Sequence, residues 1–141
     1  MAPPAPMVAP VVALVAWTFV MWLWMYVTRL PAMRRARMRP DPSAPRGEQM
    51  SKLPPEVRWK ADNYNHLLEQ PTVFYAVALA LAVLGAHGGL EQGLAWAYVG
   101  LRVIHSFVQA LVNKIQVRFA LFVASSLVLI ALTVRAATAV L

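Results

Sequence analysis

From Met7 to Thr28 the chain carries no charged residue, and three further apolar stretches follow. A run of that length meets the roughly 20 residues that a helix needs to cross the hydrocarbon core of a bilayer. No soluble domain can expose such a segment, so this feature constrains the fold more than any motif does. Composition agrees with it. The hydrophobic share is 60% and the charged share 13%, whereas soluble domains carry about 25% charged residues. The 141 residues therefore suit about four crossings. The expected fold is all-α, an integral membrane four-helix bundle in a single domain over residues 1–141. Its helices are expected at about residues 7–30, 59–86, 93–112 and 115–139. The first run is expected to remain as a helix. A cleaved leader needs a basic start ahead of a shorter apolar core, and here the first cation is Arg29, after the run.

Thirteen Lys and Arg stand against six Asp and Glu, a formal charge of +7. That excess would point to nucleic acid in a soluble domain. Here most of it lies between Arg29 and Lys60, interleaved with Pro31, Pro40, Pro42, Pro45, Pro54 and Pro55. The segment 31–58 is thus expected to be a loop with little regular structure. Short loops rich in Lys and Arg stay on the cytoplasmic side. Loops 31–58 and 113–115 are therefore expected to be cytoplasmic, with both termini across the membrane and no nucleic-acid partner. Membrane lipids are the expected partners, and anionic headgroups would add attraction to the basic loop.

Ionisable residues inside a bilayer are costly and point to function or to pairing. Arg102, His105, Ser106, Gln109 and Asn113 fall on one face of the third helix. Asp62, His66, Glu69 and Gln70 make a polar face on the second, where Pro71 should bend the helix just after Glu69. Arg118 stands one turn into the fourth. Counting back from Gly85 at the helical rise sets Glu69 roughly 24 Å from the outer face, a level shared with Gln109 and Arg118. Two arrangements satisfy these residues. One is a structural ion-pair network joining Glu69 to Arg118 or Arg102. The other is a polar cleft, open to the cytoplasm, for a small anionic ligand.

Other features carry less. His66 and His105 lack a third strong ligand, so no metal site is expected, and His87 should simply be solvated in its glycine loop. Met21, Trp22, Trp24 and Met25 are expected to serve packing and the lipid face, and Ala76, Ala80 and Ala82 close helix packing. With no cysteine there is no disulfide and no thiolate site.

Two motifs point further. Residues 61–75 carry the pattern Ala-Asp-Asn-Tyr-x-x-Leu-x-Glu-x-Pro-x-x-Phe-Tyr. The second stretch is Leu101-Arg102-Val103-Ile104-His105-Ser106-Phe107, followed by Asn113 and Arg118-Phe119. Over about residues 56–130 the chain resembles the membrane-associated proteins in eicosanoid and glutathione metabolism (MAPEG), in particular a small bacterial branch. The resemblance implies a homotrimeric four-helix protein of the bacterial inner membrane, with glutathione held between neighbouring subunits near the cytoplasmic side. It implies a catalytic Arg118 that stabilises the glutathione thiolate. It also implies a glutathione-binding set drawn from Asp62, His66, Glu69, Arg102, His105 and Gln109, and a transferase or peroxidase acting on lipophilic electrophiles. The family's Asn-x-x-Glu reads His66-x-x-Glu69 here, its flanking basic residues are replaced by Asp62 and Asn65, and its helix-3 tyrosine by Gln109. The alternative is a non-catalytic membrane protein, a ligand-binding module or an accessory subunit of a larger membrane complex.

Overall fold

The computed structural model describes residues 6–86 and 88–141; the expectation for His87 lies outside them. Among the described residues six α-helices follow one another: α1 (Val8–Arg35), a short α2 (Glu48–Ser51), α3 (Pro55–Leu67), α4 (Gln70–Val83), α5 (Gly89–Phe107) and α6 (Ile115–Val140). A π-helical turn, Val108–Val112, extends α5. Among the described residues there is no strand. Four described segments are long and apolar enough to cross a membrane: Val8–Arg35, Pro55–Val83, Gly89–Val112 and Ile115–Val140, of 28, 29, 24 and 26 residues. Each exceeds the ~20 residues a crossing needs.

The first crossing runs further than the sequence suggested. Pro31 lies inside α1, which continues to Arg35. Proline fixes φ at a helical value and forfeits one hydrogen bond, a loss the helix absorbs one turn from its end. Arg34 and Arg35 then face the negative end of the helix dipole. The segment expected to be irregular also has local order beyond α2. Ser43 donates to Asp41 Oδ1 through its backbone N at 2.9 Å and its hydroxyl at 2.6 Å. Those bonds hold the Asp41 carboxyl below its ordinary pKa. Gln49 clips the same turn, donating to Arg39 O at 2.8 Å and accepting from Asp41 N at 3.2 Å.

The second crossing is jointed. Pro71 has no N–H for Leu67 O, and its ring crowds that carbonyl. The bend therefore falls ahead of the proline, at Leu68 and Glu69, with Glu69 at φ −89°, ψ −98°. The third crossing starts four residues earlier than expected, at Gly89, and ends in the π turn. There Asn113 N donates to Val108 O, five residues back, at 2.6 Å. Asn113 sits at φ 54°, a left-handed conformation that asparagine tolerates better than most side chains. The turn to α6 is thereby tight.

α5 is the central helix. In its most apolar window 44% of the residues are buried, against 17% for α6. It packs chiefly on α6, while α1 packs on α3. Leu14, Met21, Phe74, Leu81, Tyr98 and Leu132 fill the core. Phe74 and Tyr98 stack at 4.5 Å. The aromatic and methionine cluster of α1 divides between two surfaces: Met21 and Met25 are buried and Trp22 is exposed. On α4 the buried small residue is Ala78, and Ala82 lies against the core; Ala76 and Ala80 are exposed. Away from the basic loop, Arg135 Nε of α6 donates to Glu91 Oε1 at 2.7 Å. This tie to the first turn of α5 was not foreseen from the sequence.

Candidate functional site

The polar face expected on the third crossing points inward. Arg102, His105, Ser106 and Gln109 are all buried, Arg102 completely. Lipid offers such groups no partners; most find them within the protein, while Arg102 Nε and Gln109 Oε1 are buried without one. Trp17 Nε1 of α1 donates to Ser106 Oγ at 3.1 Å, and Ser106 Oγ donates to Arg102 O at 2.9 Å. One turn before Arg102, Tyr98 OH donates to Gln70 Oε1 at 3.2 Å. Gln70 Nε2 in turn donates to Ser126 Oγ of α6 at 2.8 Å. This chain joins three helices. Sequence reasoning named Gln70 but missed Tyr98 and Ser126. A serine pair interrupting the apolar run of α6 was the available signal.

Arg102 meets the second crossing at its joint. It donates to His66 O at 3.1 Å and to His66 Nε2 at 3.5 Å. Arginine only donates, so Nε2 accepts and the Nδ1 proton goes to Glu69 Oε2, 3.0 Å away. The tautomer of His66 is thus set from both sides. No salt bridge joins Glu69 to Arg102 or Arg118. The ion pairs among the described residues are Lys52–Glu48, His66–Glu69 and Arg135–Glu91. The joint turns the Glu69 side chain outward, where it is 69% exposed and reaches back to His66. The direct Glu69–arginine network expected from depth alone is therefore replaced, within one chain, by a relay through His66.

Beside this relay lies a pocket of about 380 Å³, lined by His66, His105, Ile115, Arg118, Phe119 and Phe122. The His66 ring lies 4.9 Å from that of His105 and 5.6 Å from that of Phe122. Arg118 donates to Asn113 Oδ1 at 2.6 Å, so the left-handed turn aims the guanidinium. Its Nε is buried without a hydrogen-bond partner. The arrangement pairs a cation that has no carboxylate partner with an apolar wall. It can hold an anionic group at one end and an apolar molecule at the other.

Of the residues anticipated for the site, His66, His105 and Arg118 line this pocket. Glu69 and Arg102 touch it through His66. Gln109 is buried in the π turn, outside the lining, and Asp62 lines a different pocket with Arg29, Arg46 and Arg58. Ile115 and Phe122 were not anticipated; the one-turn spacing from Phe119 to Phe122 marks Phe122 as its neighbour on one face. Lys60 was also missed as a structural group. It is buried and donates to Glu56 O at 2.7 Å and to Ala110 O of the π turn at 3.2 Å. Among the described residues no three His, Asp or Glu side chains group to hold a metal ion.

This fold and pocket define a class: four-helix membrane proteins with an arginine-bearing, partly apolar pocket where the second, third and fourth crossings meet. The sequence model of the MAPEG family matches residues 7–138, and the chain belongs to that family. No curated protein and no solved structure matches it.

Proposed function

We propose that this MAPEG-family membrane protein is a glutathione-dependent transferase or peroxidase acting on lipophilic electrophiles. The observation that carries the reading is Arg118, aimed by Asn113 into an apolar pocket and facing no carboxylate. Bound glutathione would supply a thiol whose deprotonated form is the nucleophile. The residues fit such a group. The Arg118 Nε is an orphaned buried donor, and a cation in a low-dielectric pocket favours an anion strongly. Arg118 would hold negative charge at sulfur and so raise the thiolate population at neutral pH. His66, fixed between Arg102 and Glu69, would accept or donate a hydrogen bond at the pocket wall without moving. Glu69, exposed on the chain's surface, is placed to meet an ammonium group or a neighbouring subunit. Ile115, Phe119 and Phe122 would exclude water and receive the electrophile from the lipid side.

Purified protein is expected to shift the glutathione thiol pKa down by roughly one unit or more, read as thiolate absorbance near neutral pH. Absence of that signal, with no thermal shift at saturating glutathione, would reject the enzyme reading in favour of a non-catalytic, accessory membrane protein. The proposal extends to a homotrimer in a bacterial inner membrane. The sparse burial of α6 leaves a wide face for lipid or neighbouring copies. The basic loop is taken as cytoplasmic and both termini as periplasmic. Because the chain has no cysteine, single cysteines placed at Ser43 and Ala139 would report this cleanly. An impermeant maleimide added to intact cells should label position 139 and spare position 43, and the reverse pattern would overturn the orientation.

A further inference from the structure

We propose that Arg29, Arg46 and Arg58 form a second binding pocket, independent of Arg118, that takes a phosphate group. Three parts of the chain build it. Arg29 comes from the last turns of α1, Arg46 from the segment before α2, and Arg58 from the first turn of α3. Ser51, Asp62 and Asn65 complete the polar wall around a cavity of about 380 Å³. Asp62 and Asn65 follow Arg58 at helical spacing, so one face of α3 supplies three of these groups.

Charge is the argument. Three guanidinium groups share this cavity with one carboxylate. No described ion pair includes any of the four residues. The Nε atoms of Arg29 and Arg58 are buried and have no hydrogen-bond partner. Like charges held together with orphaned donors are costly unless an anion joins them. The surplus over Asp62 is two positive charges, which matches a phosphate monoester. Guanidinium forks also suit phosphate oxygens better than ammonium groups do. Arg29 and Arg58 both lie at the loop-side ends of membrane-length segments, the level at which lipid headgroups sit. The phosphate could thus belong to a lipid headgroup or to a molecule arriving from water.

The test uses the full chain in a neutral detergent, with Arg46→Gln and Arg58→Gln variants. Retention of dioleoyl phosphatidic acid is measured by native mass spectrometry, with dioleoyl phosphatidylcholine as control. Inorganic phosphate is the competitor. The wild type should retain phosphatidic acid over phosphatidylcholine or bind inorganic phosphate, and each variant should weaken that binding about tenfold or more. Retention that phosphate does not displace assigns the site to a lipid headgroup. Displacement, or binding of phosphate alone, assigns it to a ligand from solution. Equal binding by wild type and both variants, or no binding of either probe, overturns the proposal. So does a loss of glutathione thiolate signal in the variants with phosphate binding unchanged, which would give these arginines to the thiol ligand. The Arg118 reading fails separately, by the absence of thiolate signal in the wild type.

Discussion

Under the proposed transferase reading, Arg118→Ala is expected to lower glutathione-dependent turnover by about a hundredfold or more and to leave the protein folded. The magnitude is that of removing one preorganised donor from a developing or resting anion in a water-poor site. The fold survives because Arg118 is half-buried and its visible partner is the amide oxygen of Asn113, not a buried carboxylate. Losing that bond costs roughly 1 kcal/mol. Steady-state kinetics and a thermal melt in detergent separate the outcomes. A fall in kcat with near-constant melting temperature supports the assignment. A collapse of the fold with proportional loss of activity would make Arg118 structural. Arg118→Lys keeps the charge but loses the planar fork, so it should recover part of the rate at most.

Arg102→Ala has the opposite signature. Arg102 is completely buried and among the largest fully buried side chains. Truncation removes the donor to His66 O, releases the tautomer lock on His66 and leaves a cavity in the central helix. A destabilisation of roughly 3–5 kcal/mol is expected from the lost volume and the lost hydrogen bonds to His66 together. Thermal melts in detergent would show it. Arg102→Met fills most of the volume and should recover part of the stability but not the His66 geometry. If Arg102→Ala melts like the wild type, the arginine does not hold the joint.

The first and fourth crossings were legible because uncharged length is a one-dimensional signal; the second and third were read from shorter apolar runs extended through polar residues. The inward face of α5 was legible too, since Arg102, His105, Ser106 and Gln109 share a helical phase that no lipid-facing surface would accept. The joint was anticipated from Pro71 just after Glu69, and it falls slightly earlier, at Leu68 and Glu69. A proline acts on the carbonyl four positions before it, so the break falls ahead of the ring. That small shift had consequences. It turns Glu69 outward, and a direct pairing with an arginine inferred from matching depth became a relay through His66. Depth along a helix is a sequence quantity; azimuth after a break is not. The split of Asp62 from Arg118 into separate pockets was unreadable for the same reason. The π turn left no periodic trace, since Val108–Val112 is apolar in either helical form.

The fully buried guanidinium of α5 bears on how the protein is made. An arginine in the middle of a membrane segment adds a penalty of about 2.5–3.5 kcal/mol on insertion, and the hydrogen-bond acceptors of its guanidinium both belong to His66 on the preceding crossing. The third crossing is therefore poorly equipped to enter lipid alone. Entry as a helical hairpin with the second crossing would supply those acceptors before either helix meets acyl chains.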